Sequence, residues 1–190
     1  MGYEPFWKNL NLHKCYNPMH QLLQKLTGGD RRSIGKVEDV IQDVMKKPAL
    51  FDVLIDGLSV DEPLIRMRAA DAIEKISADQ PELLQPFKKP VLHLAAKAHQ
   101  QEVRWHMAQI IPRLKLTSKE KAQAIEILFG YLTDKSKIVV TFSMQALSDF
   151  AIEDQKLRPR VFKVLKELTA TGSPAIKNRG QKLLLKLSKL

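Results

Sequence analysis

Five constellations in this 190-residue chain carry side chains able to do chemistry. Gly29-Asp30-Arg31-Arg32-Ser33-Ile34-Gly35-Lys36 has the glycines and lysine of a loop that cradles phosphates. It holds five residues between its glycines where such a loop has four, Val37 stands where Ser or Thr would hold Mg²⁺, and no strand precedes it. A helix-breaking loop with an Arg-rich start is the better account. His13, Cys15 and His20, and separately His99, Glu102 and His106, offer metal-ligating atoms. Neither set reaches four ligands at a zinc spacing, so solvated or repeat-interface histidines are expected, with no metal and no cofactor. Arg179, Lys182, Lys186 and Lys189 fall at i, i+3, i+7 and i+10, a single basic stripe with Lys177 nearby. Such a stripe can neutralise phosphates and release counterions, or lie on an anionic surface. A solvated face on a terminal helix is the plainer alternative, because cations near a helix C-terminus are favourable in any case. Finally, Trp105 stands between Arg104 and His106, rigid aromatic area suited either to a contact or to packing between helices.

The elements that must position these residues are legible from recurrence. Ile65-Arg66-x-x-Ala69-x-x-Ala72-Ile73-x-x-Ile76 is echoed from Val103, from Val139 and from Ile176, advancing by 38, 36 and 37 residues. Apolar or small residues at i, i+4, i+7, i+8 and i+11 form one helical stripe, and a period of this size marks stacked units that bury their apolar faces against one another. Each unit predicts a first helix as well, anchored at Leu54, Leu92, Leu128 and Leu165 and, one turn later, at Leu58, Ala96 and Leu132. Start signals agree: Glu62-Pro63, Ser173-Pro174, and Thr117 with Glu120 at capping-box spacing. Pro86, Pro90 and Pro112 fall inside the helical pattern and should bend or split repeat two. Residues off the stripe form rows across the units: Met67, Trp105, Thr141, Asn178; Asp71, Gln109, Gln145, Lys182; and Lys75, Arg113, Asp149, Lys186.

Composition adds limits. Hydrophobic residues at 44% and charged ones at 27% are ordinary for a globular chain. One cysteine, Cys15, leaves no intramolecular disulfide and points to a reducing compartment, with the cytoplasm as the expected location. The first residues lack the apolar stretch of a secretory signal and the Ser or Thr of a myristoylation motif, and no apolar run approaches the ~20 residues of a membrane span. The net charge of +10 is uneven: residues 155–190 hold ten Lys or Arg against Glu167 alone, whereas residues 48–80 hold seven acids against three bases. A field of this kind steers anionic partners to the C-terminal repeat.

The second-helix signature, a β-branched residue, then Arg, then small or apolar residues at i+4, i+7 and i+8, resembles HEAT repeats over residues 48–190, with Arg66 and Arg104 matching and Val140 and Lys177 departing. The resemblance implies an all-α fold: an α-α superhelix, a short right-handed solenoid of about four HEAT-like helix pairs (48–80, 81–116, 117–154, 155–190). An N-terminal helical cap at 17–47 precedes it in a single domain, and residues 1–16 are either disordered or pinned by Phe6 and Trp7. It also implies a surface lined by second helices that holds a protein or nucleic acid. The leading expectation is therefore a non-enzymatic scaffold gripping an unidentified protein partner through Arg66, Arg104, Trp105, His106, Gln109, Arg113 and Gln145. The alternative is DNA or RNA bound through Lys177, Arg179, Lys182, Lys186 and Lys189, with a membrane surface disfavoured. A HEAT-like DNA glycosylase, using Asp71 or Asp149 beside Trp105, ranks last because the aromatic richness of that group is missing.

Overall fold

Caps and prolines set most of the helix boundaries in the computed structural model, which describes residues 19–30 and 33–190. The reading of residues 1–16, the proposed helix start at Asn17-Pro18, and His13 and Cys15 all lie outside the described residues. Ten α-helices and no strand occur among the described residues. Two compact units divide the chain, residues 1–94 and 95–190.

In the first unit α1 (Gln21–Gln24) is a single turn, capped by His20, whose Nδ1 accepts from Leu22 N–H. Gly28 and Gly29 then turn the chain through positive φ, and α2 (Val37–Lys46) buries Val37, Val40 and Val44 at helical spacing. A 3₁₀ turn at Pro48–Leu50 leads into α3 (Phe51–Gly57), which packs on α4 (Pro63–Asp79). Glu62 caps α4 by accepting from Leu64 N–H, with Pro63 at the first position, where its missing N–H costs nothing. The α4 stripe of Ile65, Ala69, Ala72, Ile73 and Ile76 is fully buried.

The prolines of repeat two act as expected. Pro81–Phe87 is 3₁₀, α5 (Lys88–Lys97) carries Pro90 in its first turn, and α6 (Gln101–Ile110) gives way to a 3₁₀ turn at Ile111–Arg113 that holds Pro112. Here one expectation fails: Ala96 is exposed, and the inward stripe of α5 runs through Val91, Leu92 and Ala95 instead. The preceding 3₁₀ stretch turns at about 3.0 residues rather than 3.6, so the helix is entered at a phase the apolar pattern does not show.

In the second unit α7 (Ser118–Tyr131) opens with the complete capping box: Glu120 N–H donates to the Thr117 hydroxyl while Thr117 N–H donates to the Glu120 carboxylate. It packs on α8 (Lys137–Glu153), and α9 (Arg158–Thr171) packs on α10 (Pro174–Leu187), whose start Ser173 caps. The second helices α6, α8 and α10 also pack on one another in sequence, so the stripes Val103–Leu114, Val139–Phe150 and Ile176–Leu187 close a continuous core. No helix among the described residues is long and apolar enough to cross a membrane.

Candidate binding surface

Burial of the stripe leaves the three polar rows at the surface. None of their members in α4, α6, α8 or α10 is buried. Within the second unit this makes a ridge of Trp105 and Gln109 on α6 with Arg113 in the 3₁₀ turn that follows it, then Thr141, Gln145 and Asp149 on α8, then Asn178, Lys182 and Lys186 on α10.

The ridge is cross-linked. Arg179 Nη1 donates to Gln145 Oε1 at 2.9 Å, Gln145 Nε2 donates to Asp149 Oδ1 at 2.9 Å, and Lys186 Nζ stands 3.7 Å from Asp149. Gln109 Nε2 turns back to the Trp105 carbonyl at 3.3 Å, and the half-buried Trp105 ring lies 5.4 Å from the His106 imidazole. In the first unit Lys75 ties Glu38 at 2.8 Å to Asp71 at 3.3 Å. Burial alone would lower the Lys75 pKa, but the two carboxylates outweigh it and hold the amine above its ordinary value.

Other candidates serve the scaffold. Arg66 Nη1 donates to the carbonyls of Val60 and Asp61, and Arg104 Nε donates to Ala98 O at 2.7 Å, the equivalent loop one repeat later. Each arginine thus staples the turn that leads into its own helix. Arg104 also pairs with Asp134 at 2.5 Å and lies over the Tyr131 ring, whose hydroxyl donates to Ala95 O at 2.6 Å. His106 is buried at 8% exposure. On α10, Lys177, Lys182 and Lys186 are exposed, with Arg179 half-buried, and the exposed Lys189 lies beyond the helix end, in the turn that follows. Sequence reasoning missed Asp134 and Tyr131, because their spacing to Arg104 carries no periodic signal.

The Arg104 cluster makes two predictions. Burial raises the Asp134 pKa, yet the Ser136 N–H and the Arg104 guanidinium overcome this and hold it below the usual carboxylate range. The unfolded chain therefore takes up the proton first, so stability present at neutral pH falls as pH drops below about 4. Asp134→Asn should flatten that part of an acid-unfolding curve followed by circular dichroism. Burial pushes the Tyr131 hydroxyl well above its ordinary pKa. Tyr131→Phe leaves Ala95 O without this donor and should cost about 1 kcal/mol in urea unfolding.

The segment that looks like a phosphate loop has the opposite polarity. Arg68, 1% exposed, reaches into it, with Nη1 donating to Leu26 O at 2.8 Å, Gly28 O at 2.7 Å and Thr27 O at 3.4 Å. Its Nη2 donates to Asp30 O at 3.2 Å and Ser33 O at 3.0 Å, and Nε to Ser33 O at 3.2 Å. Phosphate is held by inward N–H groups, whereas these inward carbonyls attract a cation and repel an anion. Gly35, at φ +58°, lies so close that a Cβ there would sit 2.8 Å from Arg68 Cζ. Among the described residues no group of three or more His, Cys, Asp or Glu could hold a metal ion.

No family model matches the sequence, and no curated protein matches it significantly. Solved structures do resemble it. An engineered protein aligns with a TM-score of 0.60 at 17% identity, over 88% of this chain and 78% of that one. A computationally designed armadillo repeat protein for modular peptide recognition aligns at 0.60 and 16%, over 87% and 80%. The chain has the fold of a helical-repeat solenoid. A third similar structure, a designed armadillo repeat protein in complex with the peptide (KR)4, aligns at 0.57 and 15%, again over 87% and 80%. At such identities the likeness establishes the helix-pair solenoid and leaves the ligand to the surface of this chain.

Proposed function

We propose that this solenoid is a non-enzymatic binding scaffold that holds a partner protein on the exposed ridge of its second helices. The observation that carries this is the contrast on each helix: one face packed to zero or near-zero exposure, the opposite rows half-buried on the α6 and α8 repeats and exposed on α10. Two structurally similar proteins, designed for peptide recognition or solved with a peptide, support a binding role for such a fold. On this reading residues 17–47 cap four repeats, 48–80, 81–116, 117–154 and 155–190. Trp105, Gln109, Arg113 and Gln145 touch the partner, while Arg66, Arg104 and His106 shape the surface beneath. Trp105→Ala should weaken capture of the partner from a nuclease-treated lysate about tenfold, the loss typical of a rigid aromatic anchor, while circular dichroism shows the helical fold retained. Undiminished capture would rule out this face.

The exposed lysines of α10 and of the turn after it favour a second reading, DNA or RNA bound through Lys177, Arg179, Lys182, Lys186 and Lys189. Fluorescence anisotropy of labelled oligonucleotides at about 50 and about 200 mM salt tests it. Phosphate binding of this kind should collapse across that interval.

A further inference from the structure

Resting on the scaffold reading, we infer that the partner is an extended segment anchored by an acidic side chain in the groove between α8 and α10. Thr141, Ala175, Asn178, Arg179 and Lys182 line this groove, about 340 Å³ in volume. Two cations face it and no carboxylate lines it. Arg179 is oriented by its single bond to Gln145, and Lys182 holds no partner among the described residues, so both can meet an incoming anion. Asp149, the acid joined to Arg179 through Gln145, is already engaged by Gln145 and Lys186. An Arg beside an exposed Lys suits a carboxylate or a phosphoryl group, since charge-assisted bonds to either are the strong ones.

The rest of the ridge decides between a polyanion and a peptide. Between the groove and Trp105 the ridge is neutral at Thr141, Gln145 and Gln109, with Ile138 48% exposed at the start of α8, and the cations that remain, Lys137 and Arg113, stand apart at its two ends. Glu102, in the register position of Ile138, would repel any phosphate led along this path. A nucleic acid repeats its charge at every nucleotide and needs cations throughout, whereas a peptide can place one anionic residue and then apolar ones. Packed helices stand about 8–10 Å apart, which an extended chain spans in about three residues. The recognised pattern is therefore an acidic residue about three positions from a large apolar one.

The probe is a displayed library of random peptides about 12 residues long, some 40 Å when extended, selected on the immobilised full chain. Enriched sequences should share Asp or Glu about three residues from Leu, Ile, Phe or Trp. A synthetic representative should lose about tenfold in affinity on Lys182→Glu and recover when its acidic residue is exchanged for Lys. Lys182 is exposed, so the variant should melt with the wild type. Replacing the acidic residue by phosphoserine separates the two sources of the anion: tighter binding identifies a phosphorylated partner, weaker binding a carboxylate. Enriched peptides without an acidic residue, or insensitive to Lys182→Glu, overturn the anchor and leave the scaffold reading standing. No enriched peptide, whether or not an oligonucleotide binds and is released by Lys182→Glu, overturns both.

Discussion

Arg68→Met should destabilise the protein by about 3 kcal/mol, because the guanidinium donates to the carbonyls of five residues, of which, among the described residues, only Asp30 O also takes a backbone bond, from Ser33 N–H, in the turn itself. Leu26, whose carbonyl takes one of these bonds, is wholly buried, so its oxygen cannot turn to water unless the turn after α1 opens. Methionine fills much of the volume but donates nothing. Lysine should not rescue: its three donors radiate from a point, while the loop is built around a planar fork with five N–H groups. Urea unfolding measures the loss, and hydrogen exchange should show α1 and α2 opening ahead of α4. Should Arg68→Met prove too unstable to isolate, Gly35→Ala tests the same contact, since its Cβ meets the guanidinium carbon and its φ of +58° penalises any side chain. A stability within about 0.5 kcal/mol of the wild type for Arg68→Met would show that the cradle is incidental.

Why this latch escaped the sequence, when so much of the fold did not, is a matter of what periodicity encodes. The stripe from Ile65 to Ile76 and its three echoes are written in residue type, because burial selects apolar or small side chains at every turn, and the structure buries them with only Leu184 partly open. Thr117 with Glu120 and Ser173 with Pro174 were equally legible, since a cap joins residues three apart. Arg68 carries the opposite expectation, as arginines are mostly exposed. Its partners lie 35 to 42 residues upstream, so only the folded chain brings them together. Arg66 and Arg104 show the same limit at the candidate site: residue type suggested ridge contacts, yet a turn six residues earlier captures both guanidiniums. Register alone put Trp105, Gln109 and Gln145 off the buried stripe, because side-chain direction on a helix follows from position, and the structure leaves all three half-buried.

Gly180→Met should cost about 3 kcal/mol, the upper end of the overpacking range, although the aligned position in repeat two is itself Met107. The difference lies in how closely α9 crosses α10. A Cβ at Gly180 would stand 1.9 Å from Thr169 Oγ1, 3.1 Å from Thr169 Cβ and 3.2 Å from Met144 Cε. Thr169 cannot simply rotate away, because its hydroxyl donates to Leu165 O at 2.6 Å and its Cβ stays in place whatever the rotamer. The helices must separate, and with them go the packing of Leu183 and Leu187 and the register of Arg179 and Lys182 against α8. Even Gly180→Ala should destabilise, although in an uncrowded helix the same change gains about 0.5–1 kcal/mol. Adding Thr169→Ala removes the nearest atom, so the double variant should recover most of that loss, a coupling read directly from a double-mutant cycle in urea. Absence of coupling would mean that the α9–α10 crossing tolerates a wider gap. In that case the groove beside Arg179 would also be less sharply built than an acidic anchor requires.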